Sequence, residues 1–359
     1  MRIAVPKEIK NNENRVGLSP NSVEALVQQG HKLFIESNAG KGIGFNDEDY
    51  LKSGATIIKD KLSLYDNANL IVKVKEPLPE EFSFFNESHT LFTYLHLAAD
   101  MKNALNLAET GVTGIAYETI TSDSGAMPLL APMSNIAGQI SILVGSYFLL
   151  KPNNGLGVML GNFEGIDRRI VTVIGAGVAG TEAIKKALIN NAHVKVIDLS
   201  QERLNSLKNE LKSDNVDYIL SSKDNILEAL AVSDLVIGSV YVIGKEAPKV
   251  ITRDMLSVMK EGSVIVDISI DQGGCIETSR PTTHDNPVFI KDGVVHYCVT
   301  NMPGAVPLTA TLALNKATLP YISRLAKDVK QTLNEDKHFR AGLSLSDGKI
   351  VHPALLSNI

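Results

Sequence analysis

Cysteine is scarce: only two of the 359 residues carry a thiol, Cys275 and Cys298. Two thiols build no disulfide framework and here form no CxxC pair. No metal site is expected, and a reducing, cytoplasmic compartment is. Charge of one sign is not in excess either. The formal net charge is −5 and the pI about 5.9, which leaves no basic footprint for nucleic acid or an anionic membrane. Long apolar runs are missing. The longest, residues 136–150, is interrupted by Gly138, Gln139 and Gly145; it is too short for a bilayer and reads as a buried helix. The first residues, MRIAVPKEIK, carry early charges and lack an apolar core, so no signal peptide is expected. No low-complexity tract or short repeat occurs. Against these absences, a hydrophobic content of 44% and a charged content of 21% describe an ordinary globular protein. Its length suits two domains.

The most informative stretch is residues 169–200, RIVTVIGAGVAGTEAIKKALINNAHVKVIDLS. A β-branched run over 170–174 ends in Gly175-Ala176-Gly177-Val178-Ala179-Gly180. A helical segment follows, then an apolar strand over 193–197 closed by Asp198. This is the pattern of a dinucleotide-binding βαβ unit. Gly175 permits the tight turn, Gly177 lets backbone approach a pyrophosphate, and Gly180 lets the helix pack closely on the strand. The helix N-terminus offers unpaired N–H groups and the positive end of its dipole to phosphate. Asp198 can accept the ribose hydroxyls and would repel a 2′-phosphate, which favours NAD. Arg203, five residues later, is placed to accept such a phosphate, so NADP stays open on the residues alone.

Elsewhere strands alternate with helices. In the first third the pattern predicts strands over 2–5, 32–35, 70–74, 90–95 and 112–117. Helices are expected over 20–29, where Ser19 caps and Pro20 starts, and over 47–53 and 101–109. Residues 126–135, rich in Pro, Met and Ser, read as a linker, and a long helix is expected from about 136 to 149. Further strands at 216–220, 235–240, 263–270 and 294–299 bring the second domain to six, the number in a doubly wound nucleotide domain. After residue 304 the pattern turns helical, over 309–333 with Pro320 inside, and belongs to neither sheet. The expected fold is α/β with two Rossmann-like domains. A doubly wound, parallel-sheet NAD domain (131–304) is inserted into a discontinuous α/β substrate domain (1–130 with 305–359).

Ligands of such folds bind outside the carboxyl ends of strands. In the second domain those ends carry Ser221, the Gly238-to-Tyr241 stretch, the Asp267-to-Gly274 stretch, and Thr300-Asn301-Met302. Asp271 stands out there, after a very apolar strand and just ahead of two glycines. In the first domain Lys7, Arg15, Lys75 and His96 lie at or just after strand ends.

These stretches carry a resemblance. MRIAVPKEIKNNENRVGLSP, VKVKEP, FTYLHLA, APMSNIAGQ, VIGAGVAG, VDISIDQGG, SRPTTHDNP and YCVTNMPGAVP resemble the bacterial alanine dehydrogenases across nearly the whole chain. The nucleotide-binding subunit of proton-translocating transhydrogenase shares the architecture but lacks the histidine of YLHLA, here His96. The resemblance implies NAD-dependent, reversible oxidative deamination of L-alanine to pyruvate and ammonium, in a hexamer. It implies that Arg15 grips the substrate carboxylate and that Lys75 binds its carboxylate or carbonyl oxygen. His96 would be the general acid/base and Asp271 a second one. On the cofactor side it implies Ser134, Val178, Ala179, Asp198, Arg203, Ser221, Val240, Tyr241, Ile268, Ser269, Ile270, Asp271, Val299, Thr300, Asn301 and Met302, beside the three glycines. Two loops depart from the family pattern, at Asn162-Phe163-Glu164-Gly165 and at Ile243 before Gly244. Two other readings stay open: a dehydrogenase for a different amino acid, and a transhydrogenase subunit that hands hydride to a partner protein.

Overall fold

The computed structural model describes residues 1–242 and 246–356, so Ile243 and Gly244 lie outside the described residues. By its contacts the chain forms two units, Met1–Met133 with Gly304–Ile359, and Ser134–Pro303. Each is an α/β unit with its own sheet and its own core.

Six strands of the first unit come from its N-terminal part: β1 (Arg2–Val5), β2 (Lys32–Glu36), β3 (Thr56–Ile58), β4 (Leu70–Val72), β5 (Thr90–Thr93) and β6 (Thr113–Ala116). The second unit holds β7 (Ile170–Ile174), β8 (His193–Asp198), β9 (Val216–Leu220), β10 (Leu235–Gly238), β11 (Val264–Asp267), β12 (Val288–Lys291) and β13 (Val294–Tyr297). The C-terminal segment adds β14 (Leu343–Ser346) and β15 (Lys349–Ile350).

The first sheet runs β15-β14-β6-β5-β4-β1-β2-β3. From β6 to β3 its pairings are parallel, and β14 closes the other side antiparallel to β6. The tail was expected to stay out of both sheets. Its helices, Pro307–Lys327 and Val329–Glu335, do so, but residues 343–350 join the sheet. The central strands β1, β4 and β5 bury successive residues without alternation because a parallel sheet covered on both faces buries both. Every residue of β4 and β5 is buried, and Ile71, Leu91, Leu107, Leu345 and Ile350 meet in one cluster.

The second sheet runs β12-β13-β11-β10-β7-β8-β9. Without β12 this is the doubly wound 3-2-1-4-5-6 order, with the chain reversing direction across the sheet between β7 and β10. The expected count of six omitted β12, an antiparallel edge strand paired with β13. Three expected strands of this sheet are shorter than read, and the one expected over 294–299 ends at Tyr297. The segment 263–270 is a strand only to Asp267 and then a 3-10 turn, Ile268–Gln272; β10 stops at Gly238.

The linker reading of 126–135 also needs correction. The helix begins inside it, at Ala131, and runs to Phe148 across the boundary between the units. Pro132 is tolerated because the first helical turn has no intrahelical N–H bond to lose. Gly138 has a packing reason: a Cβ there would stand 2.2 Å from the Ala179 carbonyl oxygen, so the helix can approach the first turn of the helix Val178–Ile189 only without one. The departure at Asn162–Gly165 forms an exposed turn in which Phe163 bridges to Ile166. Among the described residues no helix is long and apolar enough to cross a membrane.

Candidate active site

In the first unit the carboxyl ends of four neighbouring parallel strands, β6, β5, β4 and β1, lead into Glu118, His96, Lys75 and Glu8. Sheet order therefore brings residues far apart in sequence side by side. Glu8 receives the backbone N–H groups of Val74 (2.6 Å) and Lys75 (3.3 Å), which fixes the exit of β4. Behind it Lys73, fully buried, donates to Glu8 at 3.1 Å and Glu81 at 3.0 Å. Burial works against the Lys73 charge, but the two carboxylates outweigh it and hold the ammonium up to about 12. Burial dominates for Glu8 and raises its pKa despite Lys73. The two lysines of LIVKVK thus have separate fates. Lys73 is consumed in an ion network, whereas the Lys75 ammonium makes no hydrogen bond or ion pair with a described residue.

His96 follows β5 with φ 45° and ψ 34°, a left-handed conformation costly for a non-glycine residue. Its N–H donates to Glu118 at 2.6 Å, and the Leu95 N–H reaches both Glu118 oxygens at 3.2 Å. The imidazole stacks on Tyr94, with ring centroids 5.8 Å apart and planes inclined by 15°. Tyr94 is held by its hydroxyl, which donates to the Leu129 carbonyl at 2.6 Å. The ring nitrogens of His96 bond to no described residue. Lys75 and His96 are both close enough to draw down the carboxyl of the neighbouring Glu76; burial opposes them, and Lys10, which ion-pairs with Glu76, adds to the effect. One Glu76 oxygen, Oε2, is buried without a hydrogen-bond partner.

Arg15 is buried and lies near enough to Tyr94 to interact with it electrostatically. Its Nε donates to Glu13 at 2.7 Å, one Nη also bonds Glu13, and the other reaches the Met133 sulfur at 3.2 Å. Burial disfavours the guanidinium charge, yet Glu13 overcomes this and keeps it above its usual range. The fork expected to meet a substrate carboxylate is therefore already held, bidentate, by Glu13. Lys7 does not join the group: its side chain is exposed and its N–H bonds Glu36.

In the second unit the glycine turn lies between β7 and the helix Val178–Ile189. Gly175, at φ +96°, turns so tightly that a Cβ would sit 2.5 Å from the Ser239 carbonyl oxygen. A Cβ on Gly180 would meet the Gly175 oxygen at 1.8 Å, whereas one on Gly177 would meet nothing within 4 Å. Gly177 and Val178 are exposed; Ala179 and Gly180 sit deeper. The Asp198 carboxylate ends β8 and accepts from the N–H groups of Ala176 (2.7 Å) and Ser200 (2.8 Å), leaving further lone pairs on both oxygens. Arg203 turns inward: its Nε donates to the Ala176 carbonyl at 2.7 Å and an Nη to the Thr181 hydroxyl at 2.6 Å. The residues present fit a dinucleotide. The close approach is open at Gly177, N–H groups of a long helix begin beside it, and an acid stands at the end of the next strand.

The other strand ends of this unit are tied to their neighbours by hydrogen bonds. Ser221 bonds back to the Asp198 carbonyl at 2.9 Å, and Ser269 donates to the Val240 carbonyl at 2.8 Å. Asp267, fully buried, ties the loop that carries Ile268, Ser269, Ile270 and Asp271 by accepting from the N–H groups of Ser269 and Cys275, each at 3.0 Å. Asp271 accepts from the Asn301 N–H at 3.3 Å, and Asn301 is itself left-handed at φ 61°. Val299, Thr300 and Met302 flank it, with Met302 buried and the Thr300 N–H bonded to Thr282. Tyr241 is largely exposed, and Ser134 lies half-buried in the first turns of the helix Ala131–Phe148. Glu13, Glu76 and Glu118 were not singled out from the sequence, and Asp267 was named only as the start of the Asp267-to-Gly274 stretch. The strand-end position that selected Lys75 and His96 also marks Glu118.

Comparison with known proteins places this arrangement. Residues 4–137 match the family model described as alanine dehydrogenase/PNT, N-terminal domain, and residues 141–353 match its C-terminal domain. The chain is 49% identical to an alanine dehydrogenase of Halomonas elongata over 356 residues, covering 99% of this chain and 96% of that one. A solved structure of an L-alanine dehydrogenase superposes with a TM-score of 0.94 at 45% identity, over 99% of this chain and 98% of that one. A transhydrogenase structure from Sinorhizobium meliloti follows at a TM-score of 0.82 and 25% identity, over 99% of this chain and 100% of that one. Both family models match in order, and together they span nearly all of both units, so the chain belongs to the alanine dehydrogenase/PNT family.

Proposed function

We propose that the chain is an NAD-dependent L-alanine dehydrogenase. It converts L-alanine, NAD and water into pyruvate, ammonium, NADH and a proton, and runs reversibly. The observation that carries this reading is the group at the strand ends of the first unit: a lysine ammonium and two imidazole nitrogens that bond to no described residue, together with a buried arginine. A small amino acid needs just such groups, cations for its carboxylate and a proton acceptor for its nitrogen. The 49% identity to an alanine dehydrogenase supports alanine as the substrate.

In this reading Ser134–Pro303 is the nucleotide domain and the other unit the substrate domain. A bound nicotinamide supplies the hydride acceptor. Lys75 binds the substrate's carboxylate or carbonyl oxygen, and its charge polarises the carbonyl. Arg15, braced by Glu13, adds positive charge and a fixed donor for the carboxylate. His96 takes the proton released as water adds to the imino carbon and returns one to the departing ammonia. Asp271 handles the second proton. NAD is preferred because Asp198 keeps lone pairs for the ribose hydroxyls and two Arg203 donors are committed to the glycine turn rather than to a 2′-phosphate. The two cysteines are free and buried, in keeping with a cytoplasmic protein. The family resemblance implies a hexamer, in which exposed apolar side chains such as Leu143 and Tyr147 would find cover; sedimentation would check the number of copies.

The test is a substrate panel with NAD and NADP in parallel, on the intact chain and on His96→Ala. Alanine with NAD should be the best pair, and His96→Ala should lower turnover by roughly 10²–10⁴-fold with NAD binding nearly unchanged. A larger amino acid as best substrate would move the protein to another dehydrogenase. Absence of alanine-dependent NADH formation would favour the transhydrogenase subunit. Near-normal turnover in His96→Ala would end the proposed mechanism.

A further inference from the structure

Glu118 lies at the end of β6, 9% exposed, in a 3-10 turn, Tyr117–Thr119. Its carboxylate receives the N–H groups of Leu95 and His96, the latter at 2.6 Å. These are charge-assisted bonds in a buried setting, among the stronger hydrogen bonds a protein makes. They fall on the one backbone position of this loop that needs holding, since His96 sits at φ 45° and an L-residue avoids that region unless its surroundings over-determine it. With the main chain fixed on one side and the ring stacked on Tyr94 on the other, the imidazole has a defined direction although its nitrogens bond to no described residue.

We propose that Glu118 is a positioning residue for the reaction: its carboxylate keeps His96 in the left-handed conformation that aims the imidazole at the substrate. The proposal rests on His96 being the acid/base. Glu118 touches no reacting atom in it; its two oxygens are occupied by backbone donors. Released from them, the His96 main chain relaxes toward ordinary backbone geometry, and the ring swings away from the position where it can exchange a proton. A displacement near 1 Å is enough to cost on the order of 10²-fold in rate.

The experiment is a double-mutant cycle on the full-length protein, with kcat, KM for alanine, KM for NAD and thermal midpoint measured for each variant. Glu118→Ala should lower kcat per folded molecule about 10- to 100-fold, with KM for NAD within about twofold of the parent. Glu118→Gln, which keeps one acceptor oxygen at the same reach, should recover part of the loss. In the His96→Ala background, Glu118→Ala should lower kcat by less than about twofold further, because a residue acting through His96 has nothing left to position. Unchanged kcat in Glu118→Ala with only a lower thermal midpoint would overturn the proposal. So would losses that multiply in the double variant. A His96→Ala enzyme of normal turnover refutes the acid/base reading instead, which the same data set separates. If Glu118→Ala fails to fold, Glu118→Gln carries the same cycle with an expected loss of about 3- to 10-fold.

Discussion

Gly177 and Gly180, three residues apart in one turn, should respond oppositely to the same added methyl group. At Gly177 the backbone has φ −67° and ψ −162°, which any L-residue adopts, and a Cβ would touch nothing within 4 Å. Gly177→Ala should therefore leave the unliganded protein as stable as before, or more stable by about 0.4–1 kcal/mol through the stiffer unfolded chain. At Gly180 the Cβ would fall 1.8 Å from the Gly175 oxygen. Relief requires the helix to retreat by roughly 1.5 Å from the turn, and overpacking of that kind costs about 1–3 kcal/mol. Nucleotide binding should not follow stability. The Gly177 methyl occupies the approach to the pyrophosphate, and a loss of about 2–3 kcal/mol would raise the Kd for NADH roughly 30- to 150-fold. The assays are thermal unfolding without ligand and titration of NADH fluorescence. Gly177→Ala binding NADH like the parent would refute the cradle, and Gly180→Ala with an unchanged midpoint would refute the packing argument.

Asp198→Ala should weaken NAD binding and relax the exclusion of NADP; because the N–H groups of Ala176 and Ser200 lose their acceptor, it should also cost about 1–3 kcal/mol in a denaturation titration. Lys73→Met leaves Glu8 and Glu81 buried without their cation, and calorimetry should show a loss of about 3–5 kcal/mol. His89 sets a pH dependence: burial holds its pKa below 6.5, and its Nδ1 already accepts the Asn86 N–H at 3.2 Å. A histidine with a depressed folded pKa contributes stability above about pH 6.5 that is lost as pH falls through the folded value. Urea midpoints at pH 7.5 and 5.5 should therefore differ less in His89→Gln than in the parent, and an identical difference would exclude His89 as a source.

The nucleotide unit was legible in the sequence because its signals are local. Glycines at fixed offsets, a β-branched run and an acid at the next strand end all lie within about thirty residues of one another. What escaped depends on distant partners. β3 is three residues long and never fully buried; β12 is the exception, since it pairs with β13 across Asp292-Gly293, a hairpin signal as local as the glycine turn. β14 follows a long helical tail and pairs with β6, far back in the chain, and β15 only adds a short hairpin arm to it. Pro132 looked like linker chemistry, although the first helical turn accepts it. In the substrate unit the sequence singled out Lys75 and His96 but not the groups that set their states. Nothing in VKVK says which lysine is neutralised, because Glu8 and Glu81 reach Lys73 only through the fold. Nor does any pattern reveal that Arg15 is gripped by Glu13, or that His96 adopts a left-handed backbone over Glu118.

The pairing of β14 with β6 also bears on the order in which the molecule is made. Leu345 registers with Gly114 across more than two hundred intervening residues. During synthesis the whole of Ser134–Pro303 leaves the ribosome as one continuous segment while β6 still has an open side. An unpaired edge next to the fully buried β5 is a template for another nascent chain. A nonsense codon or ribosomal stall just before residue 343 would leave that edge permanently open and should yield a protein lost to aggregation, with the nucleotide-binding segment fully translated.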